Sequence, residues 1–148
     1  MEIQPDFKEL LALFNAHQVE FLIVGGFALA FHGAPRFTGD LDVLVRPHPE
    51  NARRVIAALA AFGFQLPWLT ADDFQAPGKV VQLGLPPVRI DLMTSISGVT
   101  WEEVAAHKVD DVLGDVPVAY LGRDQFIANK RAAGRKRDLA DIEALGAE

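Results

Sequence analysis

Two aspartates one residue apart, Asp40 and Asp42 in the run Gly39-Asp40-Leu41-Asp42-Val43-Leu44-Val45, are the residues of this sequence best suited to chemistry. Aspartate is depleted in strands and costly to bury alone. In an extended strand residues i and i+2 share a face, so the two carboxylates converge while Leu41 and Val43 point the other way. Carboxylates held together repel, and a divalent cation taking oxygen ligands from both relieves that repulsion. A solvated strand end is the other reading of the same spacing. A third carboxylate shifts the weight toward the cation: Asp91 interrupts Val88-Arg89-Ile90-Asp91-Leu92-Met93, where a strand would otherwise be apolar. Upstream, Gly25-Gly26 ends the apolar run Phe21-Leu22-Ile23-Val24. Missing side chains there permit close backbone approach, and a following helix offers free N–H groups to an anion. A phosphate-holding turn, an Asp-x-Asp strand and a later strand aspartate are the parts that phosphoryl-type transfer needs.

The elements that must position these residues follow from periodicity. Phe7, Leu10, Leu11 and Phe14 keep the i, i+3, i+4, i+7 spacing of a helix from about Pro5 to His17. Phe21 to Val24 reads as a buried strand, followed by a glycine turn and a short helix over Ala28 to Phe31. Leu41 to Val45 is a second strand, and Pro49 opens a helix through Val55, Leu59 and Phe62 that Gly63 ends. Val80 to Leu85 and Val88 to Met93, separated by Pro86-Pro87, are expected to form an antiparallel pair. Trp101 to His107 reads as a helix, Val116 to Tyr120 as a last strand, and Arg123 to about Ala147 as two helices broken near Gly134. The expected architecture is α/β (α+β), a mixed β-sheet flanked by helices. It forms a single domain over 1–148, with a core at about 20–122 and C-terminal helices at about 123–147.

Composition narrows the function classes. Fourteen Lys and Arg against twenty Asp and Glu give a net charge of -6, so no broad cationic face for duplex DNA is implied. With no cysteine, disulfide frameworks, thiol nucleophiles and Cys-ligated zinc are excluded, which suits a reducing, cytoplasmic setting. The longest stretch free of charge, Val55 to Ala71, contains Gly63, Gln65 and Pro67 and is a poor membrane span. No basic leader precedes an apolar run at the N-terminus. Ser95 and Ser97 are the only serines and neither lies in Gly-x-Ser-x-Gly, while Walker A and Gly-x-Gly-x-x-Gly sequences are absent. The four histidines form no zinc-binding pattern.

Taken together, Val24-Gly25-Gly26, Asp40-Leu41-Asp42-Val43 and Ile90-Asp91-Leu92 resemble the ordered hG[GS], Dh[DE]h and h[DE]h motifs of the polymerase-β-like nucleotidyltransferase superfamily. The longer string from Phe21 to Leu29, continuing through His32-Gly33, Arg36, Thr38 and Asp40 to Asp42, is similar to small bacterial members related to abortive-infection (AbiEii-type) toxins. The tail, with Lys130, Ala132 to Arg135 and Arg137-Asp138-Leu139-Ala140-Asp141-Ile142, is similar to theirs as well, so the resemblance runs from about residue 20 to residue 143.

The resemblance implies a minimal nucleotidyltransferase fold that moves a nucleoside monophosphate from an NTP, ATP first among them, to a hydroxyl on RNA or protein. It implies two Mg²⁺ ions, or Mn²⁺, on Asp40, Asp42 and Asp91, with Asp91 as ligand or base, and phosphates held by Gly25 and Gly26. An antitoxin partner is a further implication. This sequence departs from many family members in having Gly26 where they carry Ser, with bulky Phe27 next. A phosphate-binding hydroxyl is therefore missing. The alternatives are a non-catalytic nucleotide-binding or toxin–antitoxin interaction protein that keeps the fold, and a small-molecule transferase of the antibiotic-modifying kind.

Six basic residues between Arg123 and Arg137, opposed only by Asp124, give a local charge of about +5 and leave about -11 for the rest of the chain. Lys130 and Arg135 can reach a triphosphate or nucleic-acid backbone, or belong to a solvated helix whose cations pair with Asp138, Asp141 and Glu143. Arg36 and Thr38, in the loop before the Asp pair, either meet phosphates or stabilise a turn. His32 reads as a local hydrogen-bonding residue, Trp68 and Trp101 as core or rim, and the pairs Asp72-Asp73 and Asp110-Asp111 as loop acids.

Overall fold

A computed structural model describes residues 3–34 and 39–147. Six strands form one mixed sheet in the order β3-β4-β2-β1-β6-β5. They are β1 (Phe21–Val24), β2 (Leu41–Val45), β3 (Val80–Leu83), β4 (Ile90–Met93), β5 (Val109–Leu113) and β6 (Val116–Tyr120). Strands β1 and β2 run antiparallel with Val24 opposite Asp42, and β2 runs parallel to β4 with Asp42 opposite Asp91. Strand β6 joins β1 in parallel, and β3 and β5 are antiparallel edges on β4 and β6. The centre of the sheet is apolar because β1 is buried along its whole length and β2 alternates Leu41, Val43, Leu44 and Val45 around Asp42.

The helices are α1 (Pro5–Ala16), α2 (Gly25–Phe31), α3 (Pro49–Phe62), α4 (Trp101–Ala106), α5 (Arg123–Ala133) and α6 (Lys136–Ala144). Helix α1 buries Phe7, Leu10, Leu11 and Phe14, the stripe its periodicity predicts, and packs on α3 and β6. Helix α3 is seated by Asn51, which is buried. Its amide donates to the carbonyls of Glu20 and Arg46, both at 3.1 Å, and its Oδ1 accepts from the Glu20 N–H at 2.8 Å. That one side chain ties the start of α3 to the outer ends of β1 and β2. Among the described residues no helix is long and apolar enough to cross a membrane.

Four expectations need correction. No separate turn precedes α2: Gly25, at φ +66°, makes the change from strand to helix by itself, so the glycine pair forms the first helical turn. The β3–β4 pair is antiparallel as expected, but the strands are shorter and stop at Leu83 and restart at Ile90, because Gly84 at φ +72° and the prolines turn the chain. Asp110 and Asp111 are not loop acids; they lie in the edge strand β5, whose first four residues are exposed on both faces and so lack any alternation. Asp72 and Asp73 lie in a 3-10 turn, Ala71–Phe74, where Asp73 accepts from the Thr70 N–H at 2.9 Å.

Candidate functional site

The C-terminal end of β1, the start of β2, the start of β4 and the α5–α6 pair meet around a cleft of about 720 Å³. Gly25, Gly26, Asp40, Asp42, Asp91, Lys130 and Arg135 all line it, so the structure brings together every sequence-selected site residue that it describes. Arg36 and Thr38 lie outside the described residues. His32 is turned elsewhere, with its Nε2 2.7 Å from the Leu121 carbonyl oxygen, so it is a hydrogen-bonding residue as expected, but its partner is far away in sequence and not local. Trp101 packs half-buried against the core, whereas Trp68 is neither core nor rim but largely exposed.

Asp42 is the pivot. It stands between Val24 of β1 and Asp91 of β4, on the central pair of strands. Its carboxylate fills the space where Gly25 lacks a side chain: a Cβ there would overlap Oδ2 and come within 2.9 Å of Cγ. The glycine is therefore required by contact as well as by its positive φ. Burial, then the charges of Asp91 and Asp40, push the Asp42 carboxyl up to about 6; Lys130 and Arg89 pull the other way. Asp91 is nearly buried, while Asp40, one residue ahead of β2, is more open.

Arg89 holds the acids together. Its Nε and Nη2 donate to the two oxygens of Asp91 at 3.2 Å each, and Nε lies 3.7 Å from Asp40 Oδ2. The hydrogen bond to Asp91 is the main cause that raises the Arg89 pKa. The sequence reading passed over Arg89, yet a signal was present: it lies two residues before Asp91, on the same face of an extended chain.

Across the cleft, a cation of α5 and one at the α5–α6 junction are anchored by acids that the sequence reading left in solvent. Asp138 and Asp141 are buried, and Lys130 Nζ lies 3.4 Å from each of them. Arg135 Nε donates to Asp138 Oδ2 at 2.7 Å, which holds the Asp138 carboxyl down at about 2. The solvated-helix reading is thus right about the partners and wrong about their setting. The pairing forms because Gly134, at φ +67°, ends α5 and lets α6 fold back on it.

Among the described residues no three carboxylates or imidazoles are drawn into a ready-made metal cluster. The donor chemistry of Asp40, Asp42 and Asp91 nevertheless suits a hard divalent cation. All three offer oxygens, Asp42 is raised by burial and then by its acidic neighbours, and a cationic guanidinium already stands against two of them.

A mixed sheet that carries paired carboxylates on adjoining strands beside a strand–glycine–helix junction is the framework of nucleotidyltransferases. Solved structures agree on the fold. TM1012 of Thermotoga maritima, assigned as a nucleotidyltransferase, superposes with a TM-score of 0.60 at 12% identity, over 97% of this chain and 92% of its own. The antibiotic-resistance factor ANT(2'')-Ia superposes with a TM-score of 0.58 at 11% identity, over 95% of this chain and 80% of its own. No curated protein matches the chain in sequence. The family profile described as nucleotidyl transferase AbiEii toxin, type IV toxin–antitoxin system, matches residues 10–147, and the chain belongs to that family.

Proposed function

We propose that this nucleotidyltransferase moves a nucleoside monophosphate from an NTP, ATP first among them, to a hydroxyl on RNA or protein, in a cytoplasmic toxin–antitoxin setting. The observation that carries the proposal is the convergence of Asp40, Asp42 and Asp91 with Gly25, Gly26, Lys130 and Arg135 on one cleft from four separate segments. Asp40, Asp42 and Asp91 would hold two Mg²⁺ ions, with Mn²⁺ as a substitute. Bound there, the metal would lower the pKa of the acceptor hydroxyl and neutralise charge on departing pyrophosphate.

The chain's own groups supply the rest. Gly25 and Gly26 leave room for phosphate oxygens to approach the backbone. Lys130 and Arg135, held by Asp138 and Asp141, place fixed N–H donors on the opposite wall, their charge balanced by the two carboxylates. The acceptor oxygen bonds to the α-phosphorus, the α–β bridging bond breaks, and pyrophosphate leaves with the electron pair. The hydroxyl proton passes to a cleft carboxylate, for which Asp91 is the candidate.

Incubation with α-labelled NTPs, Mg²⁺ and total RNA or cell lysate should transfer label, and Asp42→Ala should abolish the transfer. No label on any acceptor refutes the catalytic reading. Gly26, standing where many relatives carry Ser, favours a second reading, a nucleotide-binding partner of an antitoxin without turnover. Metal-dependent nucleotide binding without transfer would select it, and label on an aminoglycoside would instead point to small-molecule modification.

A further inference from the structure

Both oxygens of Asp91 accept from Arg89, and the same guanidinium reaches toward Asp40. A cation approaching these acids must share their lone pairs with a fixed positive charge or displace it. Displacement is open to this side chain, because about a third of it (34%) is exposed and it comes from the turn ahead of β4. The guanidinium also has an alternative partner by its chemistry, since its planar fork fits phosphate oxygens as well as it fits a carboxylate. Lys130 differs, being only 13% exposed and flanked by two buried carboxylates at 3.4 Å. Among the described residues, Arg89 is thus a cation of the cleft that touches the proposed metal ligands and has room to change partners.

We propose that Arg89 competes with the divalent cation for Asp40 and Asp91 and moves onto the phosphates when a nucleotide arrives, so that metal and nucleotide load cooperatively. Metal alone has to oust the guanidinium without offering it a new anion. Metal together with a triphosphate provides one. The coupling is reciprocal, so the metal strengthens nucleotide binding by the same factor. The inference rests on reading the cleft as a metal-dependent nucleotide site.

The test follows Mn²⁺ binding through the loss of the free-ion electron paramagnetic resonance signal, with Mn²⁺ alone and with Mn²⁺ plus α,β-methylene-ATP, the loss due to the Mn²⁺–nucleotide complex in protein-free controls being subtracted. In the unaltered protein the nucleotide should tighten Mn²⁺ binding at least about 5-fold. Arg89→Gln should bind Mn²⁺ alone at least about 5-fold more tightly than the unaltered protein, and should gain less from the nucleotide. Arg89→Lys keeps the charge but cannot span both Asp91 oxygens, and should fall between the two. If circular dichroism shows Arg89→Gln to be unfolded, Arg89→Lys decides by whether it binds Mn²⁺ alone more tightly than the unaltered protein. Mn²⁺ affinity that is unchanged or weaker on substitution overturns the role of Arg89 and leaves the nucleotide site standing. Absence of Mn²⁺ binding to the unaltered protein even with nucleotide defeats the metal-dependent reading and this inference with it.

Discussion

Substitution of Gly25 by alanine should injure the protein in two separable ways. The first is backbone strain: at φ +66° an alanine pays about 1–2 kcal/mol that glycine does not. The second is overlap, because the new methyl would lie 2.9 Å from Asp42 Cγ and 3.0 Å from its Cβ, beyond what a small shift absorbs. Forcing atoms into a filled site costs about 1–3 kcal/mol, so the expected total is about 2–5 kcal/mol. Replacing Asp42 by alanine should relieve the overlap with Oδ2 and Cγ, leaving the backbone strain and a contact with the retained Cβ at 3.0 Å that a shift of a few tenths of an ångström relieves. In an Asp42→Ala background, Gly25→Ala should therefore cost about 1–2 kcal/mol, giving a coupling of about 1–3 kcal/mol, in the range found for residues in contact. Urea denaturation of the four proteins in EDTA measures the cycle. Titration with Mn²⁺ and α,β-methylene-ATP adds a functional arm, in which Gly25→Ala should weaken binding as Asp42→Ala does, since the carboxylate must swing away. Equal costs of Gly25→Ala in the two backgrounds would refute the contact.

Three further outcomes are expected. Because the Asp42 carboxyl is raised from 3.8 to about 6, its ionisation costs stability as pH climbs through that window, about 3 kcal/mol in full; in EDTA, Asp42→Asn should be the more stable protein at pH 7.5 and lose most of that advantage by pH 4.5, and a less stable variant at pH 7.5 contradicts the electrostatics. Asp138 shifts the opposite way, so its contribution is present above about pH 4 and drains away as pH falls toward 2. Asp138→Asn should cost about 2–4 kcal/mol in urea melts at neutral pH and flatten the acid limb of the stability curve. Asn51→Ala removes three hydrogen bonds to the Glu20 and Arg46 backbone and should cost about 2–4 kcal/mol while Mn²⁺–nucleotide affinity stays unchanged.

The elements nearest the cleft were readable because each carries a strong local signal. The apolar runs of β1, β2 and β4 stand out by themselves, and an aspartate inside such a run is conspicuous because burying it demands compensation. The stripe of α1 and the Pro49 to Gly63 frame of α3 are equally local. Strand β5 was missed for the converse reason: an edge exposed on both faces owes its structure to hydrogen bonds with β6 and not to burial. The anchoring of Lys130 was misjudged because Asp138 and Asp141 become buried only when α6 packs on α5, a tertiary event that helix periodicity does not encode. Arg89 gives no comparable signal, because an arginine at a strand end is as readily solvated as paired, and its contacts with Asp91 and Asp40 form only in the folded chain.

Strand β5 has one more consequence. A sheet edge offers unpaired N–H and C=O groups to any other strand, including the same strand of another molecule. Here that edge carries Asp110 and Asp111 in succession, both exposed, pointing to opposite faces of the sheet. Two copies approaching edge to edge would bring four carboxylates together before a backbone bond could form. The charge of Asp110 and Asp111 thus opposes self-templated assembly at this edge, and neutral residues at 110 and 111 would remove that repulsion.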